Sequence, residues 1–298
     1  MEKTTNPLLY LESKKKMMDY LYLNMSIPKI KSYIEQNNYI IRTHDKITKK
    51  NQKKVRHIQE PKKELKKIHK RLCYLLSLRA FPIYLHSGVR NRSYKSNAMV
   101  HIENDFVVNI DIEKYFPSCK VSQVYRLFTE KYFMSKDVAH ILSSLSTWCG
   151  VIPTGSPLSQ LLAFLVSEDM FNEVSDYCQS NMLHFSVYVD DITLSSKNPI
   201  SNHHIKNIVT IIEKYEFTIN KSKLKRFDKY KAKEITGVVI HNKKLFVPFK
   251  RKKKIIELIC SKPVNLPSAF GCISEVQFIE GSSSLSHIRN YIKKSLFK

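Results

Sequence analysis

The tetrapeptide Tyr188-Val189-Asp190-Asp191 constrains the fold more than any other stretch of the chain. It lies between two runs that read as strands, 184–189 and 192–196. Asp tolerates the backbone angles of a tight turn, so the two acids are expected at the tip of a β-hairpin. Such a tip brings two carboxylates to one point. Like charges held out of water are unfavourable unless a cation neutralises them, and an all-oxygen ligand set favours magnesium. An isolated Asp-Asp is more often a solvated acidic turn, so the metal reading depends on the residues around it.

A third acid comes from Phe106-Val107-Val108-Asn109-Ile110-Asp111-Ile112. Phe106, Val108, Ile110 and Ile112 alternate on one face of a half-buried strand, which leaves Asn109 and Asp111 on the other. Glu113 then opens a turn into a helix. Between this strand and the hairpin, residues 121–149 read as two helical pieces. A turn follows, Ile152-Pro153-Thr154-Gly155-Ser156-Pro157-Leu158-Ser159-Gln160. It leads into a helix whose Leu158, Leu161, Leu162, Phe164 and Leu165 cover most of its circumference, as in a helix buried under a sheet. The Gly-Ser-Pro turn either offers backbone N–H groups to an anion or is an ordinary capped helix start.

Lysine and arginine number 50 against 26 acids in 298 residues, a formal charge of +24. That surplus repels itself in a compact protein and points to a polyanionic partner, nucleic acid above all. No apolar run is long enough for a bilayer, and residues 1–10 lack a signal-peptide core. The six cysteines form no Cys-x-x-Cys pair and no zinc spacing, and read as reduced, mostly core residues. Residues 1–45 are expected to be helical, with Ser26-Ile27-Pro28 as a helix start. Residues 46–71 are a basic block that continues as a helix from 61 onward, with an apolar stripe of Leu65, Ile68, Leu72, Leu75 and Leu76. Its cationic face favours phosphate over mere solvation. His101, alone in a loop-rich stretch, is of the kind that usually serves structure. Further on, residues 203–216 read as an amphipathic helix and 234–240 as one strand. His241-Asn242-Lys243-Lys244 turns back into Leu245-Phe246-Val247, and a basic helical tail begins at Phe249.

The succession of an Asp111 strand, glycine turn and buried helix, Tyr-x-Asp-Asp hairpin, Asn220-x-x-Lys223 and a Thr-Gly strand resembles the reverse transcriptases, from about residue 52 to 275. Asp111 matches their first catalytic acid, and the turn matches Pro-x-Gly-x-Pro-x-Ser. Within that family the chain looks most like the bacterial retron enzymes. Asn97-Ala98-Met99-Val100-His101 matches their Asn-Ala-x-x-His motif, and Ile235-Thr236-Gly237 their Val-Thr-Gly triplet with Ile for Val. The family often carries Gln in the turn where Thr154 stands here, and Gly155-x-x-x-Ser159-Gln160 is also similar to enzymes of diversity-generating elements.

The resemblance implies an α+β right-hand polymerase, with a ferredoxin-like palm built on an antiparallel sheet. N-terminal helices and fingers would occupy residues 1–98, the palm 99–248 with a fingers insertion at about 121–149, and a small helical thumb 249–298. It implies two Mg2+ ions held by Asp111, Asp190, Asp191 and the backbone carbonyl of Ile112, with Lys223 as general acid. Arg56 and Lys66 would clamp the triphosphate, Phe116 would pack under the deoxyribose of a dNTP, and Gly155 would border the nucleotide. Asn97, His101, Thr236 and Gly237 would lie by RNA or primer. Lys250, Arg251, Lys252, Lys253 and Lys254 would read an RNA stem. It also implies priming from an RNA 2′-OH, a cognate structured noncoding RNA copied into branched msDNA, a separate effector protein in anti-phage defence, and the bacterial cytoplasm. A diversity-generating or abortive-infection reverse transcriptase is the alternative with the same chemistry. A non-catalytic RNA-binding scaffold is the alternative without it.

Overall fold

A computed structural model of the chain describes residues 6–23, 27–35, 38–47, 53–260 and 265–289. The first elements are α1 (Lys14–Leu21), α2 (Ile27–Glu35), β1 (Tyr39–Ile47), β2 (Lys53–Pro61), α3 (Lys63–Leu76) and α4 (Tyr94–Met99). Then come β3 (Phe106–Asp111), α5 (Tyr115–Ser118), α6 (Val121–Arg126), α7 (Lys136–Ser146) and α8 (Ser159–Ser180). The hairpin strands β4 (His184–Tyr188) and β5 (Asp191–Ser196) precede α9 (Asn202–Lys214) and the short strands β6 (Lys225–Phe227), β7 (Lys233–Ile235), β8 (Val238–His241) and β9 (Lys244–Phe246). Helices α10 (Phe249–Cys260) and α11 (Leu266–Glu280) follow. The fold is mixed α+β, and every sheet is antiparallel.

The chain forms two compact units, each assembled from three separated segments. The first comprises Met1–Pro82, Ile112–Val174 and Thr210–Thr218. The stripe expected on α3 is buried at Leu65, Ile68, Leu72, Leu75 and Leu76. On α8, Leu161, Leu162, Phe164 and Leu165 are buried as well. Glu168 is buried too, and Arg79 donates to both of its oxygens, at 3.0 and 2.7 Å. His69 is fully enclosed. Its Nε2 faces the Leu145 carbonyl at 2.7 Å, so that nitrogen carries the proton, and Nδ1 accepts from the Ser156 hydroxyl at 2.6 Å. The same hydroxyl accepts from the Leu158 N–H at 3.1 Å, a bond within the Gly-Ser-Pro turn ahead of α8.

Two sequence expectations fail. Residues 39–45 are strand, not helix: β1 pairs with β2 in a nine-residue register from Tyr39↔Pro61 to Ile47↔Lys53. Within the basic block, residues 46–47 and 53–61 are strand, ahead of the expected helix. Tyr39 anchors the hairpin, buried with its ring tilted against Trp148 and His69. Helix α2 opens at Ile27 with Pro28 in its first turn, while Ser26 lies outside the described residues. The second failure concerns cysteine. All six are free, but only Cys119 and Cys178 are buried, and Cys149 and Cys260 are exposed.

The second unit comprises Ile83–Asp111, Ser175–Val209 and Ile219–Lys298. Its main sheet has the order β4-β5-β3-β6. The expected alternation on β3 holds, with Val108 and Ile110 buried on one face. Val107 on the other face is buried too, because α4 and the sheet β7-β8-β9 cover it with Ala98, Ile235, Val238 and Ile240. Residues 234–240 are two strands rather than one. Thr236 (φ +45°) and Gly237 (φ +83°) are both left-handed and turn β7 back into β8. Gly favours that backbone region and Thr does not. Asn242 and Lys243, also at positive φ, make the expected turn into β9. Among the described residues no helix is long and apolar enough to cross a membrane.

Candidate active site

Ladder register brings the acids of the second unit together. Asp111 ends β3 directly opposite Asp191, the first residue of β5. Residues paired across an antiparallel ladder point to the same face, so these two carboxylates share one. The hairpin tip is displaced by one residue from the expected Asp-Asp: Tyr188 pairs with Asp191, and the turn is Val189-Asp190. Val189 has φ +61°, an outlier for a β-branched side chain and a conformation that persists only where its surroundings fix it. The Val189 N–H donates to Ser87 Oγ at 2.9 Å, and Val187 is bridged to Leu85 in parallel.

The consequence is electrostatic. Burial pushes the Asp191 carboxyl up to about 6, and the charges of Asp190 and Asp111 push the same way, while Lys223 and Lys225 oppose them. Asp111 is itself buried and is held by Lys223, whose Nζ donates to Oδ1 at 2.5 Å. The Asn-x-x-Lys segment reaches it because the Asn220 N–H donates to the Asp111 carbonyl at 2.8 Å, and a 3-10 turn over Lys221–Lys223 follows. Asp111, Asp191, Lys223 and Lys225 line a cavity of about 220 Å3, closed on another side by Thr236 and Gly237. Among the described residues no three His, Cys, Asp or Glu side chains already stand at metal-binding positions. The donor chemistry nevertheless suits a hard divalent ion: oxygen ligands only, one of them carrying a repulsion that a cation would remove.

The retron-like motifs take structural positions. Asn97 is fully buried on α4 and donates to Thr236 Oγ1 at 3.3 Å, which fixes the Thr-Gly turn at the cavity wall. Its Oδ1 has no partner among the described residues. His101 is also fully buried, bonded to Ser195 Oγ at 2.6 Å and to Ser186 Oγ at 2.7 Å. Asn104 donates to the same Ser195 hydroxyl. His101 therefore clips β4 to β5 beneath the hairpin. The expectation that Asn97 and His101 touch RNA or primer is corrected to one of support, because neither exposes a side chain. Sequence reasoning missed Ser87, Ser186, Ser195 and Lys225. Only the alternation along β4 and β5 could have flagged the two sheet serines, as polar residues on a covered face.

The basic helix α10 is also more structural than expected. Arg251 pairs with Glu275 at 3.1 Å and Lys252 with Glu280 at 2.8 Å, tying α10 to α11. Lys253 reaches Glu257 at 3.9 Å on the same helix. Lys250, Lys253 and Lys254 are exposed.

The remaining candidates belong to the first unit. Lys66 donates to Glu60 at 2.7 Å, and Arg42 holds the other Glu60 oxygen. Arg56 lies on β2 opposite His44, and its side chain is outside the described residues. Phe116 is half-buried on α5, its ring 5.6 Å from that of Tyr115. Ile112 follows Asp111 with its side chain buried. Gly155 has a packing reason to be glycine. A Cβ there would stand 2.6 Å from the Gln59 carbonyl oxygen, to which the Gly155 N–H donates.

A family model described as reverse transcriptase (RNA-dependent DNA polymerase) matches residues 47–240. The chain is 27% identical over 254 residues to the retron Ec86 reverse transcriptase of Escherichia coli, covering 82% of this chain and 77% of that protein. It is 32% identical over 176 residues to the retron Se72 reverse transcriptase of Salmonella heidelberg, covering 57% of this chain and 46% of that protein. In fold it is similar to apo telomerase from Candida tropicalis truncated from the C-terminal domain, with a TM-score of 0.51 at 10% identity over 74% of this chain and 58% of that one. With more than half its length matched by that model, the chain belongs to the reverse transcriptase (RNA-dependent DNA polymerase) family and is homologous to bacterial retron reverse transcriptases.

Proposed function

We propose that the chain is the RNA-directed DNA polymerase of a retron, which copies part of a cognate structured noncoding RNA into DNA from a ribose 2′-OH and leaves a branched RNA–DNA product. The observation that carries the catalytic reading is the Asp111↔Asp191 register with Asp190 at the adjoining tip. Joining a primer hydroxyl to a nucleotide α-phosphate needs charge neutralisation and alignment rather than a covalent nucleophile. Asp111, Asp190 and Asp191, with the Ile112 carbonyl, would hold two Mg2+ ions. Bound there, the ions would lower the pKa of the attacking hydroxyl and neutralise charge on the triphosphate.

The chain's own groups supply the rest. Lys223, within reach of Asp111, would move from that carboxylate to the leaving pyrophosphate and give it a proton. Thr236 and Gly237, held by Asn97, would border the primer where the turn has little side-chain bulk. Arg56 and Lys66 would meet the triphosphate, the latter once exchanged from Glu60, and Phe116 would exclude a 2′-OH and so select dNTPs. Gly155 would border the nucleotide through its backbone. In this reading residues 1–98 are N-terminal helices and fingers, 99–248 palm with a fingers insertion at about 121–149, and 249–298 thumb, with Lys250, Lys253 and Lys254 as its RNA-facing cations. The setting is anti-phage defence in the bacterial cytoplasm with a separate effector protein, by likeness to the retron enzymes. Purifying the protein from cells and sequencing its bound nucleic acid tests this. A branched RNA–DNA made only with the neighbouring noncoding RNA is the expected result. Linear DNA made on unrelated RNA would favour a diversity-generating or abortive-infection enzyme.

A further inference from the structure

A second cavity of the same unit, about 330 Å3, has no part in the chemistry above. Three loops wall it: residues 102–105, the turn through Asp228 and Lys231 between β6 and β7, and the Asn242-Lys243 turn between β8 and β9. Lys233 opens β7 at its floor and is only 6% exposed. Among the described residues no acceptor lies within bonding distance of its ammonium, and Asp105 acts on it only as a more distant charge. Burial lowers its pKa accordingly. The stem of Lys233 is covered while its ammonium keeps contact with solvent in the cavity, the usual arrangement of a long cationic side chain, so an arriving anion would meet a cation bonded to no carboxylate.

The rim adds a second, independent feature. Tyr230 is 89% exposed, a whole ring left in water at the cavity mouth. Lys229, Lys231 and Lys243 flank it, paired to Asp105 at 3.6 Å, Asp228 at 3.2 Å and Glu103 at 2.6 Å. Exposed pairs of this kind are weak and exchange readily toward a phosphate. Lysines interleaved with an uncovered aromatic ring are the pattern that holds single strands: phosphates on the cations, a base on the ring.

Register sets the distance to the catalytic cavity. The β7–β8 ladder runs from Lys233↔Ile240 at this cavity to Ile235↔Val238 beside the Thr236-Gly237 turn. At about 3.3 Å per residue, the three steps from Lys233 to Thr236 span about 10 Å. A strand ending at the catalytic cavity can therefore continue along this hairpin.

We propose that this cavity holds a phosphate of a single-stranded RNA segment, with Lys233 as its counter-charge and an unpaired base stacked on Tyr230. The choice of RNA rests on the RNA-directed reading above; the charge and the ring do not.

Anisotropy of a labelled oligouridylate, titrated with the whole chain at several salt concentrations, tests it. Tyr230→Ala is expected to weaken binding about tenfold and Tyr230→Phe to leave it unchanged, since stacking needs only the ring. Lys233→Met is expected to weaken binding and lower the slope of log affinity against log salt by about 0.7, one phosphate contact on a single strand. Thermal unfolding checks each variant, and Tyr230→Ala decides alone if Lys233→Met does not fold. Unchanged affinity in Tyr230→Ala overturns the proposal, as does an equal loss on an RNA duplex, which offers no unpaired base. An equal loss on a DNA oligonucleotide overturns the choice of RNA. Extension of a short annealed primer–template, run on the same preparations, separates the two readings: binding without extension would contradict the polymerase and leave this site standing.

Discussion

Lys223 Nζ stands 2.5 Å from Asp111 Oδ1, and the backbone N–H of Asn220 donates to the carbonyl of the same aspartate at 2.8 Å. One segment thus grips Asp111 at both its side chain and its backbone. The proposed proton donor and the first proposed metal ligand are positioned as a unit, and the lysine offsets part of the negative charge that gathers where β3 meets β5.

The remaining repulsion gives Asp191 a pH signature. Its pKa rises from 3.8 to about 6 in the folded protein, chiefly through burial and then through Asp190 and Asp111. A raised folded pKa means that the protonated form is the one the fold favours. The stabilisation is full below pH 3.8 and is lost as pH rises through about 6. Without metal, Asp191→Asn is therefore expected to be more stable than wild type at pH 8, by on the order of 2 kcal/mol, with the difference shrinking toward pH 4. Urea unfolding at the two pH values measures it. A constant difference would contradict the assignment.

His69 carries the opposite sign. Burial lowers its pKa to about 4, while the backbone bond to Leu145 works the other way. The unfolded chain, with an ordinary value of 6.5, takes up a proton first as pH falls. The stability is full above pH 6.5 and is lost as pH falls through about 4, with a total on the order of 3 kcal/mol. His69→Gln is expected to flatten the stability profile between pH 6.5 and 4. An unchanged slope would show that His69 takes no part in acid unfolding.

Gly155 tests the packing of β2. A Cβ at that position meets the Gln59 carbonyl oxygen at 2.6 Å and Ile58 Cγ2 at 2.7 Å, and neither is the loose end of a long side chain. Gly155→Ala is expected to cost about 1–3 kcal/mol in chemical denaturation. A variant as stable as wild type would mean that β2 yields without cost.

What the sequence made legible follows from the range of each signal. Strands β3, β4 and β5 show their period of two because one face of each is uniformly apolar, and Asp111 stands on the opposite face. The tip slipped by one residue because Val189, β-branched, does not announce a left-handed turn. The β1–β2 pairing is not legible because apolar and polar residues do not alternate along either strand, and its anchoring contacts, Tyr39 on Trp148 and Gly155 on Gln59, lie far away in sequence. Residues 234–240 read as one strand because Thr236 is itself a strand former; only Gly237 marks the turn. The roles of Asn97 and His101 depend on partners 139 and 94 residues away, which no local pattern encodes.

The most direct measurement is RNA-templated DNA synthesis by wild type and by Asp190→Asn and Asp191→Asn, with Mg2+ and the cognate RNA, on preparations shown to be folded. Wild type is expected to make labelled DNA, and each variant to lose at least about 10³-fold in rate, roughly 4 kcal/mol of barrier. DNA synthesis that persists in either variant would contradict the assignment of these carboxylates to catalysis.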